Sequence, residues 1–404
     1  MSNLPLLPLA ADTWGDEEID AISDVLLSRQ FTMGKKVEEF EKKFSQMMGA
    51  KYAVMASSGS AANLLMTAAL FFKKTNPLRP GDEIIVPAVS WSTTYYPLHQ
   101  YGLKLKFVDI CELTLNYDLQ ALQGAISAST RAIMVVNLLG NPNDFKSLDK
   151  IINGQEIYLI EDNCESMGAT FNGKFAGTFG LMGSFSTYFS HHISTMEGGV
   201  VLTSDEELYH ILLCLRAHGW TRNLPKVNHV SGLKSEDPFE ESFKFILPGF
   251  NCRPIEFEAA VGLKQLDRLD GFVKTRRENA DCFKEIFLNN EFLQIQREIG
   301  ESSWFGFGLV LKRGSSLSRN SLVSFLKQAG IDTRPIVAGN FLRQPVASLL
   351  NYSKHNEMYN ADLIHENGFF IGNHHFSIKN ELCEFEKILK KGIQQQWDLQ
   401  KLRS

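Results

Sequence analysis

The chain has 404 residues, of which 44% are hydrophobic and 22% are charged, and its formal net charge is -5. This length allows two domains with a large core. The negative charge and the lack of basic runs argue against nucleic-acid binding. The apolar runs are too short to cross a bilayer. The N-terminus lacks the charged and apolar regions of a signal peptide, so we expect a cytoplasmic protein.

The first two thirds of the chain alternate helical and strand-like patterns, which is typical of an α/β fold with a mostly parallel sheet. Apolar periodicity predicts helices at residues 17–27, 37–47 and 61–72. Short apolar runs predict strands at residues 52–55, 83–86, 105–108, 131–136 and 157–160, and residues 184–188 and 199–203 flank a loop that contains His191.

The pattern changes near Arg253 and Pro254. Beyond this point the sequence predicts helices at residues 255–266, 271–287 and 321–329, and strands at residues 304–311 and 333–337. This tail is typical of a smaller C-terminal α/β domain. We therefore divide the chain into a large domain, residues 1–265, and a small domain, residues 266–404, and we expect the N-terminal segment to pack on the small one.

The cysteines are scattered along the chain and include no Cys-x-x-Cys pair. Zinc and iron–sulfur sites usually contain at least one such close pair, so we expect no metal site. The sequence predicts reduced, mostly buried thiols. They are Cys111, Cys164, Cys214, Cys252, Cys282 and Cys383.

A small-residue turn, Ser57-Ser58-Gly59-Ser60, leads from a strand into a helix. Such a turn exposes backbone N–H groups beside the positive end of the helix dipole, and a phosphate fits that position. The alternative interpretation is purely local: Ser60 caps the helix and Gly59 serves a tight turn.

Acidic residues follow the strand at residues 157–160, in the order Glu161, Asp162 and Glu165. Ligands of open α/β sheets bind at the carboxyl ends of the strands, and an aspartate there can hold a pyridine nitrogen in its protonated state. In the alternative interpretation Asp162 caps the next turn and Glu165 is a solvated charge. Trp91 follows another strand and can stack on a flat ligand, although most tryptophans pack in cores.

The remaining motif runs from Ser184 to Gly199 and contains His191 and His192 before a Glu-Gly-Gly. A lone loop histidine is more often a structural residue than a catalyst. His191 can nevertheless move protons near neutral pH. His192 would point elsewhere from an extended segment, so we assign it a structural role or a role in supporting His191.

Taken together, these motifs and the segment Gly249-Phe250-Asn251-Cys252-Arg253-Pro254 resemble the nucleotide-sugar aminotransferases that use pyridoxal phosphate (PLP). The resemblance extends from about Pro5 to Asn373. In that family a lysine six residues before the Glu-Gly-Gly holds PLP as a Schiff base, and here that position is His191. Because imidazole cannot form a Schiff base, the replacement resembles the 3-dehydratase branch of the family.

The resemblance implies the fold-type-I, aspartate aminotransferase-like architecture, with the cofactor in the large domain and active sites at the interface of a homodimer. It assigns the cofactor phosphate to Gly59, Ser60 and Ser186. It assigns the pyridine nitrogen to Asp162 and places Glu165 near the ring hydroxyl. Trp91 would stack on the ring, and Asn251 would reach the phosphate of the neighbouring subunit.

The resemblance also implies a reaction. Pyridoxamine phosphate (PMP) would condense with the C4 ketone of GDP-4-keto-6-deoxy-D-mannose, and His191 would act first as base and then as acid while the 3-hydroxyl leaves. Glutamate would regenerate PMP from PLP. The product, GDP-4-keto-3,6-dideoxy-D-mannose, belongs to colitose-type sugars of lipopolysaccharide O-antigens. Weaker candidates for the sugar pocket or for anionic groups are His218, Arg222 and Arg334, and the two arginines fit a surface or interface position equally well.

Two alternatives stay open at this point. An ordinary nucleotide-sugar 4-aminotransferase would need another lysine, such as Lys244, and a non-catalytic nucleotide-sugar-binding protein of the same fold would also lack the cofactor lysine. A related branch with the same histidine uses an iron–sulfur cluster held by closely grouped cysteines after the position of Trp220. Here no cysteine occurs between Trp220 and Cys252.

Overall fold

The computed structural model describes residues 5–401 of the chain. The helices are α1 (Asp16–Ser28), α2 (Lys35–Met48), α3 (Gly59–Phe71), α4 (Ser92–Gln100), α5 (Leu119–Ala125), α6 (Phe145–Ile152), α7 (Glu206–Arg216), α8 (Pro238–Ser242), α9 (Glu256–Phe287), α10 (Arg319–Gln328), α11 (Tyr359–Asn367) and α12 (Lys379–Lys401). The strands are β1 (Tyr52–Ala56), β2 (Glu83–Pro87), β3 (Lys104–Val108), β4 (Thr130–Val136), β5 (Tyr158–Asp162), β6 (Thr170–Phe171), β7 (Lys174–Phe175), β8 (Met182–Ser186), β9 (Gly199–Thr203), β10 (Val227–Asn228), β11 (Gly232–Leu233), β12 (Leu293–Ile295), β13 (Gly306–Leu311), β14 (Tyr352–His355) and β15 (Gly368–Gly372).

The main sheet has eight strands in the order β1-β9-β8-β5-β4-β2-β3-β14. From β8 to β14 every neighbouring pair is parallel, whereas β9 is antiparallel to both β8 and β1. The prediction of an α/β fold with a mostly parallel sheet is therefore confirmed. Because parallel strands all end at one edge, the loops after β1, β2, β4, β5 and β8 meet there.

Both faces of this sheet are buried, as expected for parallel strands with helices on both sides. Alternate residues of one strand point to opposite faces. Ile84 and Val86 belong to a core with α3, α4 and α7, whereas Ile85 packs with α5 and α6. Ala53 and Met55 of β1 pack instead with α2 and α9.

The C-terminal part contains a smaller antiparallel sheet in the order β12-β13-β15. It packs against α10, α12 and the end of α9 in a separate core. Leu7 is fully buried in that core and pairs with Ile331, so the N-terminal segment contacts the C-terminal part. The division of the chain at residue 265 stays a prediction, and that residue lies inside α9.

The two helices predicted at residues 255–266 and 271–287 are one continuous helix, so that prediction was wrong. The polar residues between them do not break the helix, because they pair with its neighbours: Asp267 accepts from Lys43, and Arg268 pairs with Glu18. Leu269 is buried and carries the apolar stripe through this region.

Two other expectations were also wrong. Residues 333–337 do not form a strand, since only Arg334 pairs, with Phe370. All six cysteines are free, but only Cys214 and Cys252 are buried. In the part of the chain that the structure describes, no helix combines the length and apolar character needed to span a membrane.

Candidate active site

The loops at the carboxyl edge of the main sheet surround a cavity of about 350 Å³. This volume is in the range of pockets that bind small molecules and cofactors. Phe305 and Val337 close the cavity from the C-terminal part. The lining residues are Ser58, Gly59, Ser60, Ser90, Trp91, Thr93, Val136, Leu138, Asp162, Cys164, Glu165, Ser186, Tyr188, Ser190, His191, Glu197, Phe305 and Val337.

The turn before α3 forms one end of the cavity. Ser58 is the N-cap, and its Oγ accepts a hydrogen bond from the N–H of Ala61 at 3.0 Å. Ser60 is therefore not the cap, and its hydroxyl lies 3.1 Å from Thr93 Oγ1. The first N–H groups of a helix have no partner inside the helix, so this turn can hold a phosphate beside Ser186.

Close packing explains why small residues stand at this turn. A Cβ on Gly59 would lie 2.6 Å from the Cβ of Ser186, and a Cβ on Gly199 would lie 2.2 Å from the carbonyl oxygen of Ser58. The second glycine of the Glu-Gly-Gly motif thus lets β9 approach the beginning of α3. Any larger side chain would push the helix away from the strands.

Asp162, the last residue of β5, is held by three donors. Its Oδ2 accepts from Asn63 Nδ2 and from Thr94 Oγ1, both at 2.8 Å, and its Oδ1 accepts from the N–H of Cys164 at 3.1 Å. Because the single proton of Thr94 goes to Asp162, Ser90 is the donor in the 2.8 Å bond between the two hydroxyls. Asp162 both caps the following turn and presents a fixed carboxylate to the cavity.

The two neighbouring glutamates have different positions. Glu161 points away from the cavity and is fully buried, and its carboxylate accepts from the N–H groups of Gly177, Phe179 and Gly180 at 2.6 to 2.7 Å. Glu165 lines the cavity and accepts from the N–H of Leu139 at 2.9 Å. Burial raises the pKa of Glu165 from 4.5 to about 7, and the nearby charge of Asp162 contributes, so Glu165 is not a solvated surface charge.

Trp91 lines the cavity rather than the core. Its side chain is 58% exposed, which overturns the alternative interpretation of a core tryptophan. An exposed indole at the mouth of a pocket is available to stack on a flat ring.

The His191 loop is closed at its base by a ladder of hydrogen bonds. The N–H of Thr187 donates to the carbonyl of Gly198 at 2.9 Å, the N–H of Thr195 donates to the carbonyl of Thr187 at 2.8 Å, and the two threonine hydroxyls lie 2.5 Å apart. Within the loop, the N–H of His191 donates to the carbonyl of Tyr188. These contacts fix the backbone of the loop without using the side chain of residue 191.

The His191 ring packs against Phe305, with 5.2 Å between the ring centroids. Nδ1 is buried and has no hydrogen-bond partner in the described structure, which leaves Nε2 as the nitrogen that can exchange a proton with a bound molecule. Burial and the positive charge of Arg276 lower the pKa of His191 from 6.5 to about 4. The ring is therefore neutral at neutral pH and able to accept a proton.

His192 faces away from the cavity and is fully buried. Its Nε2 donates to the carbonyl oxygen of Ser303 at 3.1 Å, and Nδ1 has no partner in the described structure. Burial lowers its pKa well below the ordinary value, so the ring is neutral. Its contacts agree with the structural role that the sequence predicts.

Several candidate residues do not line this cavity. Asn251 is exposed and accepts from Arg253 Nε at 3.0 Å. Arg222 lies over the ring of Trp220, whereas Lys244 pairs with Glu241 at 2.9 Å. Neither these residues nor His218 and Arg334 line the cavity of their own chain. Their proposed contacts with the cofactor or substrate stay predictions.

Sequence reasoning missed residues that complete the site. Asn63 and Thr94 hold Asp162, and Glu197 lines the cavity. Phe305 packs against His191, and Arg276 donates to the carbonyl of Phe305. Thr94 lies in the Ser-Thr-Thr run after Trp91, which is a local signal. Asn63 and Arg276 lie on helices with no motif around them, so only the fold brings them to the site. Among residues 5–401, no group of three or more His, Cys, Asp or Glu side chains is arranged to hold a metal ion.

Comparison with known proteins adds to this geometry. The sequence model of the DegT/DnrJ/EryC1/StrS aminotransferase family matches residues 12–382. The chain belongs to this family. Its architecture is accordingly that of the fold-type-I, aspartate aminotransferase-like enzymes.

Individual proteins and solved structures are similar to this chain over nearly its whole length. GDP-4-keto-6-deoxy-D-mannose 3-dehydratase from Escherichia coli O55:H7 is 58% identical over 384 residues, which are 95% of this chain and 99% of that protein. A solved structure of a histidine-to-asparagine mutant of GDP-4-keto-6-deoxymannose-3-dehydratase with bound GDP-perosamine has a TM-score of 0.94 and 57% identity, and covers 95% of this chain and 100% of that one. A structure of the same enzyme with a trapped PLP–glutamate geminal diamine gives the same values.

Proposed function

We propose that this protein is a PLP/PMP-dependent 3-dehydratase that converts GDP-4-keto-6-deoxy-D-mannose to GDP-4-keto-3,6-dideoxy-D-mannose. One observation carries the proposal: the position of the family's lysine is occupied by a histidine that faces the cofactor-sized cavity, and no lysine lines that cavity in the described structure. The 58% identity to an enzyme of this name extends over nearly the whole chain.

The cavity fits a pyridoxal or pyridoxamine phosphate. The N-terminus of α3, with Gly59 and Ser60 and with Ser186 beside them, is built for the phosphate. Asp162 would pair with the pyridine nitrogen, and Trp91 would cover the ring. When bound, the cofactor would supply the amine that joins the C4 ketone and a ring that takes up the electron pair left by proton removal, and it would return that pair to the sugar as the 3-hydroxyl leaves with the electrons of the C3–oxygen bond.

His191 supplies the proton transfers. Its neutral imidazole takes a proton at Nε2 from the carbon that carries the cofactor amine, and it then gives this proton to the departing 3-hydroxyl. A pKa of about 4 makes the protonated ring a stronger acid than an ordinary imidazolium, which suits a poor leaving group. The same low value keeps the ring unprotonated before the reaction begins.

Other side chains hold the reacting groups in place. Asp162 is fixed by Asn63 and Thr94, so its carboxylate can meet a pyridine N–H without first reorganising. Glu165 would lie near the ring hydroxyl, where a carboxyl group with a pKa of about 7 can exchange a hydrogen bond in either protonation state. Phe305 packs against His191 and limits the access of water to the imidazole.

The overall reaction balances with glutamate as the reductant. Glutamate loses two electrons and its amino group and becomes 2-oxoglutarate, the substrate loses one oxygen atom, and ammonia is released. We further propose a cytoplasmic homodimer in which Asn251, His218, Arg222 and Arg334 complete the active site of the neighbouring subunit or bind anionic groups. These four residues do not line the cavity of their own chain, which is consistent with contacts outside it.

The proposal is tested by mass spectrometry of GDP-4-keto-6-deoxy-D-mannose after incubation with the protein, PMP and glutamate. The expected product is lighter by one oxygen atom, depends on PMP and forms together with an equal amount of 2-oxoglutarate. A product in which an amine replaces the ketone would instead indicate a 4-aminotransferase. An unchanged sugar, with PMP bound, would indicate a non-catalytic binding protein or a different substrate, and either result would overturn the proposal.

A further inference from the structure

Arg276, on α9, is a buried cation without a counter-ion. Its side chain is 4% exposed, and its Nη1 donates to the carbonyl oxygens of Phe305 at 3.1 Å and Asn373 at 2.6 Å. Its Nε has no partner in the described structure. Burial is the cause of its lowered pKa, about 10, and no carboxylate in the described residues opposes it. Buried charges are normally paired, because removing a lone charge from water is costly, so this arrangement requires an explanation.

Arg276 and the two histidines meet at one short segment, Ser303 to Phe305. Arg276 holds the carbonyl of Phe305, and the Phe305 ring lies 5.2 Å from the ring of His191 and 5.8 Å from that of His192. The carbonyl of Ser303 accepts from His192. The guanidinium therefore holds the wall against which His191 packs, from the side opposite the cavity.

Other charged groups also face this region. On the cavity side, His191 shares the lining with Asp162, Glu165, Glu197, Cys164 and Tyr188. Behind it, His192 is neutral and buried, and Arg276 is the charged group that acts on both rings. Burial is the larger cause of the low pKa of His191, and the positive charge of Arg276 lowers it further.

We propose that Arg276 is a positioning residue for His191: its hydrogen bond to the carbonyl of Phe305 holds in place the ring against which the imidazole packs, and its unpaired charge adds to burial in favouring the base form of that imidazole. This inference rests on the proposed function, since the base form matters only if His191 removes a proton. Arg276 is not expected to touch the substrate or the cofactor.

The test is a histidine titration by carbon-13 NMR of the full chain without cofactor or substrate, so its outcome does not depend on the proposed reaction. Arg276→Met removes the charge, and the His191 midpoint should rise by about one pH unit or more. Arg276→Lys keeps the charge, and its midpoint should stay near the value of the unaltered protein. His191→Asn assigns the resonance, and the exposed His229 serves as an internal reference.

In the active protein, Arg276→Met should move the acid limb of the kcat/KM profile to higher pH by the same amount, and Arg276→Lys should restore it. If Arg276→Met does not fold, Arg276→Gln replaces it, because the Gln amide removes the charge but can still donate to the carbonyl of Phe305 or Asn373. A folded Met or Gln variant with an unchanged His191 midpoint would overturn the proposal. A lower melting temperature alone would show only that Arg276 is structural, and would also count against it.

Discussion

At residue 191 the imidazole stands between an aromatic wall and a cavity lined by carboxylates, with a buried cation behind it. Its charge state follows from these surroundings and not from the histidine alone. A free histidine would be partly protonated near neutral pH, whereas this one is neutral. The imidazole is thus already in the form that the proposed proton removal requires before any ligand arrives.

His191→Asn should abolish the dehydration and leave PMP binding nearly unchanged. Asparagine cannot accept and return a proton, and general acid–base catalysis typically contributes about 10²- to 10⁴-fold. The rate is measured by product mass, and binding by the absorbance of the cofactor. His229→Asn, at an exposed position, is the control and should behave like the unaltered protein. Normal turnover by the His191 variant would mean that another group is the base.

Asp162→Asn should weaken the cofactor site by on the order of 100-fold in activity, because the ionic partner of the pyridine nitrogen is lost. An amide also removes an acceptor: with its NH2 group at the Oδ1 position the N–H of Cys164 loses its partner, and with that group at the Oδ2 position both Asn63 and Thr94 do. Activity and PLP affinity are the measurements. Asp118→Asn changes the N-cap of α5 to another good cap and should change neither. Full activity of the Asp162 variant would exclude the predicted contact.

Much of the site was visible in the sequence at this scale. Residues that belong to motifs, such as Gly59, Trp91, Asp162 and His191, do line one cavity. Arg276 could not be found in this way, because its effect depends on α9 passing behind the His191 loop, and one sequence does not show which helix passes behind a loop. Asn251 could not be placed either, since its predicted partner lies on another subunit.

At the level of elements, the site depends on three segments that pack closely: the beginning of α3, the end of β8 and the beginning of β9. Gly59 and Gly199 allow backbone and side-chain distances that no Cβ would permit. The phosphate end of the cavity is therefore set by backbone contacts. A larger residue at Gly59 or Gly199 should therefore weaken cofactor binding by displacing α3.

Gly59→Ala should displace α3 from β8, because the new methyl group would lie 2.6 Å from Ser186 Cβ and 3.0 Å from Cys164 Sγ. We expect a stability loss of about 1–3 kcal/mol and at least tenfold weaker cofactor binding. Thermal unfolding and an absorbance titration with PLP measure the two effects. The matched control is Gly271→Ala in α9, where nothing lies within 4 Å, and this change should stabilise by about 0.5–1 kcal/mol. Equal behaviour of the two variants would contradict the packing argument.

The errors of the sequence prediction at this scale have a common cause. Two helices were predicted where α9 is continuous, and within α9 Asp267 pairs with Lys43 of α2 and Arg268 pairs with Glu18 of α1. A strand was predicted at residues 333–337, yet Val337 adopts a left-handed conformation (φ 48°) and lines the cavity. In both cases a contact between distant segments outweighed the local pattern.

Across the whole molecule, two kinds of buried group act on stability in opposite pH directions. Glu165 has its pKa raised from 4.5 to about 7, so the stability it contributes is present below pH 4.5 and is lost as pH rises through 7. His374 has its pKa lowered from 6.5 to about 4 by burial and by Arg276, so its contribution is present above pH 6.5 and is lost as pH falls through 4. The two effects oppose each other in the intermediate range.

Single variants should separate these two effects. Glu165→Gln should gain stability relative to the unaltered protein as pH rises from about 5 to about 8, by on the order of 1–2 kcal/mol after allowance for its partial exposure. His374→Gln, whose amide can still donate to the Pro8 carbonyl, should gain relative stability as pH falls from 6.5 to about 4. Urea unfolding of the cofactor-free protein at several pH values measures both. Parallel stability curves for all three proteins would show that neither group titrates as described.

The closed base of the His191 loop has a consequence for how such enzymes diversify. Hydrogen bonds between Thr187, Thr195 and Gly198 fix the backbone whatever side chain stands at position 191. Natural selection could therefore exchange the reacting group without rebuilding the frame that presents it. Exchanging a lysine for a histidine there replaces an amine nucleophile by an imidazole, while the turn at Gly59 and the carboxylate of Asp162 stay in place.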